Sequence, residues 1–323
     1  MAIAGRKYDS VSAKHCRLAR QRAFASWECA AALCMLAASA SAQDLTPRAY
    51  WPTPHGTELF VFGYAHQQGD VVLDPSLPIT GVDSSINSFV LAYQQSLSLF
   101  GRSSTFQFEV PLADATTTGV LPTGSGRREV SGIGDVAALL SINLVGAPTM
   151  DLESYQAFRK KPRAILGASV KIVAPTGQYD ADRLINVGTN RWAVRARLGY
   201  SQPLKDTRWI VELAIGIWFF EDNDEFLGQT RKQDPVTAFD FSLIRRFRPG
   251  FWGSLDLNYF LGGRSTFMGD RGADFQRNSR YGFTVAYPFK GRHAIKASIS
   301  NGIATQSGDD YQTIAVSYIY RIN

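Results

Sequence analysis

From Thr57 onward the chain falls into segments of about ten residues in which apolar and polar side chains alternate, the length a tilted strand needs to cross hydrocarbon. Trp209, Val211, Leu213, Ile215, Ile217 and Phe219 share one face; Ile210, Glu212, Ala214, Gly216 and Trp218 share the other. The same rhythm sets Trp192, Val194, Ala196, Leu198 and Tyr200 against Arg191, Ala193, Arg195, Arg197 and Gly199. It also sets Phe251, Leu255, Leu257, Tyr259 and Leu261 against Ser254, Asp256 and Asn258. After Gln43 no run approaches the roughly 20 apolar residues of a membrane-spanning helix. Helical spanning is excluded, and a sheet with one apolar face remains.

A soluble sandwich would also keep its charges to one face, so the loop lengths decide between the two. Twelve strands fit at 57–67, 86–99, 103–113, 132–145, 163–175, 190–202, 207–220, 235–247, 251–261, 278–289, 293–301 and 310–322. Tight connections fall at Phe100-Gly101-Arg102, Pro203 to Asp206, Arg248-Pro249-Gly250 and Lys290-Gly291-Arg292, where Gly, Pro and charge supply turn chemistry. Long polar stretches, 68–85, 114–131, 176–189, 221–234, 262–277 and 302–309, alternate with them. The pattern predicts an all-β fold, an antiparallel transmembrane outer-membrane β-barrel of about 12 strands with long extracellular loops and short periplasmic turns. The even count returns both termini to the periplasmic side. Closure is required because hydrocarbon offers backbone groups no other partner. Pro111, Pro175 and Pro288 fall near predicted strand ends, where a missing N–H is tolerated. One connection, 146–162, is long where a short turn belongs; Asp151 to Arg159 predicts a short helix at the membrane interface, with Asp151 near its start.

Residues 1–42 predict a signal peptide, with a basic start from Arg6 to Arg22, an apolar stretch from Ala30 to Ala38, and cleavage after Ala40-Ser41-Ala42. The expected location is the outer membrane of a Gram-negative bacterium. Residues 43–56, with Pro47, Pro52 and Pro54, predict an extended periplasmic segment that either plugs the barrel of 57–323 or hangs free. Cys16, Cys29 and Cys34 all lie in the leader, so the mature chain carries no disulfide and no cysteine metal site. Removing its six Lys/Arg and two Asp/Glu from totals of 34 and 28 leaves 28 against 26, which gives no reason to invoke nucleic acid. The expected partners are outer-membrane lipid, lipopolysaccharide, the barrel-assembly machinery and a small solute.

Gly132-Ile133-Gly134-Asp135 opens one predicted strand, and Pro175-Thr176-Gly177-Gln178-Tyr179 closes the next. In their order, spacing and barrel context these motifs make the chain resemble the phenol-degradation meta-pathway outer-membrane family, over most of Thr57 to Ile322. The resemblance implies passive uptake of small hydrophobic or aromatic compounds. The chain departs from many outer-membrane barrels by ending Tyr320-Arg321-Ile322-Asn323 rather than on an aromatic residue. Read from the residues alone, the two glycines are a loop-to-strand junction, Asp135 is a rim or lumen carboxylate, and Pro175-Thr176-Gly177 is a strand-ending turn. Neither motif leads into a helix with Lys and Ser/Thr as a phosphate loop would.

The alternation predicts an inward row of Glu109, Asp135, Lys171, Arg195, Arg197, Glu212, Asp240, Arg246, Asp256 and Lys296. Mixed signs fit either a polar, pore-lining row or a ladder of salt bridges that fills a small barrel. Three functions follow: a channel, a structural or surface-interaction barrel with a plugged lumen, and an outer-membrane lipid hydrolase built on His293 with Ser298 or Ser300. No nucleophile motif marks the third, and the expectation is a protein that is not an enzyme. No cofactor is implied, and no metal site; the acidic loop Glu221 to Glu225 reads as a solvated loop.

Overall fold

A computed structural model describes residues 46–70, 80–121, 124–183, 186–272, 274–289, 291–304 and 310–322; the predicted leader lies outside them. In chain order the elements are β1 Glu58–Asp70, β2 Thr80–Leu99, β3 Arg102–Leu121, β4 Gly124–Ile133, β5 Ala137–Val145, α1 Leu152–Lys160, β6 Ile165–Val173, β7 Ala193–Pro203 and β8 Trp209–Phe220. They continue with β9 Asn223–Phe226, β10 Gln229–Gln233, β11 Val236–Arg248, β12 Phe251–Gly262, β13 Ser265–Phe267, β14 Asp270–Arg271, β15 Gln276–Phe289, β16 His293–Ala304 and β17 Asp310–Arg321. Successive wall strands pair antiparallel, and β1 pairs with β17 from Leu59↔Arg321 to Asp70↔Asp310, which closes the barrel. β4 and β5 both pair with β3 and together form one stave, so the wall has twelve.

The period-two rows land as the hydrocarbon requires. Phe62, Phe89, Leu91, Leu213, Phe219, Phe283, Ile299 and Val316 point outward and are 41–54% exposed in the isolated chain, a continuous apolar belt. At the edge that carries the short turns, aromatic rings and cations form a girdle: His293 Nδ1 is 2.6 Å from the Tyr318 hydroxyl, and the Arg248 guanidinium lies over the Tyr287 ring.

Several expectations need correction. The stretches 68–85 and 114–131 are not simply loops: β1 runs to Asp70, and β2, β3 and β4 continue well past the apolar belt as tall hairpins. There Ser84 and Ser85 face Thr117 and Thr116, and Ser84 Oγ donates to Thr117 Oγ1 at 3.0 Å. Beyond the hydrocarbon no lipid enforces an outward apolar row, so apolar alternation fades while the β-propensity of threonine persists; Ser84 and Thr117 are themselves buried. The strand expected over 132–145 is broken at 134–136. Pro111 lies inside β3, opposite that break, where the absent N–H costs no ladder bond. Stretches 221–234 and 262–277 contribute a separate four-stranded sheet, β9, β10, β13 and β14, in which Phe226 meets Phe267 edge to face at 5.3 Å.

The helix forms as expected. Asp151 Oδ1 accepts from Ser154 N at 2.8 Å, and that hydrogen bond holds the carboxyl below the ordinary aspartate range. Its one buried residue, Phe158, packs with Tyr50, Ala147, Met150 and Ile165, so α1 closes on the mouth of the barrel rather than lying out along the membrane interface.

Candidate functional site: the barrel lumen

Nine residues of the predicted row lie on wall strands in register with the inward set, and Asp135 lies between strands. Two pairs are direct: Lys171 Nζ lies 2.7 Å from Glu109 Oε2, and Arg197 Nη2 lies 2.8 Å from Asp240 Oδ2. Gln107 and Asn258 donate to the other oxygens of Glu109 and Asp240, so each carboxylate is held on both sides. Asp256, 1% exposed, accepts from Ser254 Oγ and Thr284 Oγ1, both at 2.9 Å. Arg195 lies over the Trp218 ring at 5.1 Å, and Lys296 remains part-exposed. Glu212 and Arg246 belong to the periplasmic mouth, and Asp135 belongs to the strand break.

The break explains the two motifs, because the fold brings them together. Asp135 Oδ1 accepts from Gly177 N at 2.8 Å, and Oδ2 accepts from Thr189 N at 2.8 Å and Thr189 Oγ1 at 2.6 Å. Gln178 N donates to Ile133 O at 2.9 Å, and Val136 N to Thr176 Oγ1 at 3.0 Å. A Cβ on Gly177 would lie 2.7 Å from Gly188 Cα and 2.8 Å from Gly134 C, backbone that cannot yield. The motifs are therefore a knot in which segment 174–178 fills the gap between β4 and β5.

At the end carrying both termini, residues 46–56 cross the mouth of the barrel. Gly56 N donates to Ser96 O on one side, and Arg48 N donates to Glu212 Oε2 at 2.6 Å on the other. Between them the Tyr50 ring lies against the inward glycines of β6 and β7: a Cβ on Gly167 or Gly199 would meet it at 2.2 Å. Its hydroxyl is 3.1 Å from Ser169 Oγ, and burial pushes the phenol above its ordinary pKa. The Arg48 guanidinium sits over Trp51 at 4.5 Å and Trp252 at 5.1 Å; burial, opposed by Tyr155 and Glu212, lowers it to about 10. Arg246 donates from Nη2 to Arg159 O at 2.6 Å, tying the wall to the C-terminal turn of α1.

Filling is one-sided. Inward residues of β12 and β15, Trp252, Ser254, Asp256, Asn258, Phe260, Asn278, Arg280, Thr284 and Ala286, are buried. Arg280 stacks on Tyr311 at 3.9 Å and was missed in the sequence row although it shares the inward face with Gly282 and Thr284. Across the barrel, inward Val61, Gly63, Ala65, Gln107, Glu109, Lys296, Ser298, Ala315 and Ser317 stay part-exposed, and most are small. Beside Gly63 a Cβ meets nothing closer than Ser317 Oγ at 3.6 Å. The more exposed inward residues therefore follow the β16, β17, β1, β2 and β3 side of the lumen, although Ala92, Ser96 and Ser300 on that side are buried.

Toward the outer end the filled side turns apolar, with Ala193, Trp218, Val236, Ala238 and Phe260 packed together and Val173 and Phe220 against them. Above it lies Arg191, 3% exposed, its guanidinium 4.7 Å over Phe220. Burial first, then the neighbouring Arg231, lowers Arg191 to about 9, against the pull of Asp222 and Asp135. Neither arginine is in the predicted row: Arg191 continues the inward alternation of 190–202 but stands just before β7, and Arg231 lies on β10, in a stretch read from the sequence as a loop. His293 shares its outward face with Ile295 and Ile299, whereas Ser298 and Ser300 face inward, so the strand itself separates the members of the hydrolase reading. Among the described residues no group of three His, Cys, Asp or Glu is placed to hold a metal.

The sequence profile of a family described as "Putative MetA-pathway of phenol degradation" matches residues 65–320. The barrel is similar to the crystal structure of an outer membrane channel from Pseudomonas putida F1, with TM-score 0.73 and 22% identity, covering 86% of this chain and 100% of that one. The transport unit of the autotransporter AIDA-I from Escherichia coli aligns with TM-score 0.50 and 10% identity over 88% of this chain and 95% of that one. No curated protein sequence matches. At these identities the structural likeness bears on the fold.

Proposed function

This chain belongs to the family described by that phenol-degradation profile, and on that premise we propose that it is an outer-membrane channel for passive uptake of small hydrophobic or aromatic compounds. The observation that carries the reading is the one-sided lumen: salt bridges and rings fill one half, and small part-exposed residues line the other. A barrel needed only as a rigid body gains nothing from leaving that half open, since tight packing stabilises and voids do not. The path is narrow and bounded by the Lys171–Glu109 pair and Lys296, which suits a small molecule with a polar edge. The structural or surface-interaction reading draws on the segment 46–56 that crosses the mouth.

Initial uptake of labelled phenol at limiting concentration separates the two in cells with and without this protein. The channel reading expects slower uptake in its absence, restored by the wild-type chain. Equal uptake would leave the structural barrel.

A further inference from the structure

The edge of the barrel that carries the short turns is strongly basic. Residues 160–163, 203–209, 245–251, 289–293 and 321–322 contain eleven Lys and Arg and one carboxylate, Asp206, which already lies 2.8 Å from Arg208 Nη2. They stand at the ends of β6, β7, β8, β11, β12, β15, β16 and β17, which are consecutive in the wall, so the cations line one unbroken arc. The opposite end has the reverse sign: 68–85, 114–131, 176–189, 221–234, 262–277 and 302–309 hold fifteen Asp and Glu against eight Lys and Arg. The near-neutral total of the mature chain thus conceals two oppositely charged ends.

Two of the basic groups are held at a set depth. The Arg245 guanidinium lies over the Trp209 ring at 4.7 Å, and that of Arg248 over the Tyr287 ring at 4.9 Å. They also lie 5.8 Å from Phe247 and Phe251 respectively, and those two rings are 4.6 Å apart. Cations and rings therefore form one shelf on the lipid-facing side of the wall. Among the described residues neither arginine makes an ion pair. Farther along the arc, Arg321 N donates to Arg292 O at 2.9 Å or less, 2.8 Å, which sets two more exposed arginines on neighbouring strands.

Like charges crowded along one edge repel, so the arc is stabilised by an anion from its surroundings. At this depth the surroundings are the periplasmic leaflet: girdle aromatics sit at headgroup level, which puts the stacked guanidiniums beside lipid phosphates. The arginine fork takes two phosphate oxygens in parallel. In phosphatidylethanolamine the headgroup ammonium competes for that phosphate, whereas phosphatidylglycerol has no cation of its own. We propose that this arc, centred on Arg245 and Arg248, selects anionic phospholipids of the phosphatidylglycerol type from the periplasmic leaflet around the barrel. The inference goes beyond the channel reading and involves no solute.

Native mass spectrometry supplies the test, on the refolded mature protein released from micelles doped with equal amounts of phosphatidylglycerol and phosphatidylethanolamine of the same acyl chains. The wild type should retain phosphatidylglycerol at least about fivefold over phosphatidylethanolamine, the preference of about 1 kcal/mol that one basic residue confers near an anionic surface. Arg245→Gln with Arg248→Gln should lower that ratio at least about threefold. Arg127→Gln with Arg128→Gln, which removes two cations from β4 at the outer end, should leave it unchanged.

A wild-type ratio near one, a ratio unmoved by the Arg245 and Arg248 changes, or an equal fall in the outer pair would overturn the proposal. Should the first double variant fail to fold, Arg292→Gln with Arg321→Gln reads the same arc at exposed positions and should also lower the ratio.

Discussion

Deleting residues 46–54 should raise the conductance of the refolded barrel by about twofold or more, because those residues cross the mouth and conductance follows the free cross-section. Two point variants reach the same end without shortening the chain. Gly199→Val drives a side chain into the Tyr50 ring, where even a Cβ would lie 2.2 Å away. Tyr50→Ala removes the ring itself, and with it about 3–5 kcal/mol of stability by the usual cost of emptying a buried aromatic site. All three variants should conduct alike and above wild type in planar bilayers. Wild-type conductance in all three would mean that the segment rests beside the path and does not narrow it.

Arg197→Leu should cost about 3–5 kcal/mol of unfolding free energy, since it strands the Asp240 carboxylate in the filled half of the lumen with only Asn258 to serve it. The side chains of the pair are 8% and 18% exposed, so water screens it little. Arg197→Leu with Asp240→Leu should recover most of that loss, because apolar side chains of similar bulk avoid the desolvation of both ions. Urea unfolding in detergent micelles, followed through the gel-mobility difference between folded and unfolded barrel, measures both variants. A single-variant cost below about 1 kcal/mol would place the pair in a watery lumen and would remove the distinction between a filled and an open side.

What could be read from the sequence follows from what the membrane demands. The row Trp209 to Phe219 is legible because hydrocarbon admits nothing else outward, and the short turns are legible because Gly and Pro mark them. The tall hairpins are not, since beyond the hydrocarbon no lipid enforces an outward apolar row, and Ser84 and Thr117 are buried there against each other as a hydroxyl pair. The Asp135 knot joins residues more than forty positions apart, and the motifs gave its parts without their meeting. For residues 43–56 the sequence permits both a plug and a free segment. Yet Gly167 and Gly199, paired and both facing inward, were a signal in retrospect: small residues in register on adjacent strands make room for something bulky, here Tyr50. Arg191 continues an inward row and Arg231 stands forty positions on in a stretch read as a loop, and only the fold shows that they converge.

Single-channel recording of Gly63→Trp and Ala315→Trp, beside the outward control Phe62→Trp, tests the open side of the lumen most directly. The two inward tryptophans enter the more exposed side of the lumen between β17, β1 and β2, whereas the control changes only the lipid-facing surface. The account predicts discrete steps from the wild type, undiminished in Phe62→Trp and strongly reduced in both inward variants. Steps of equal size in all four proteins, or none from a correctly folded wild type, would contradict it.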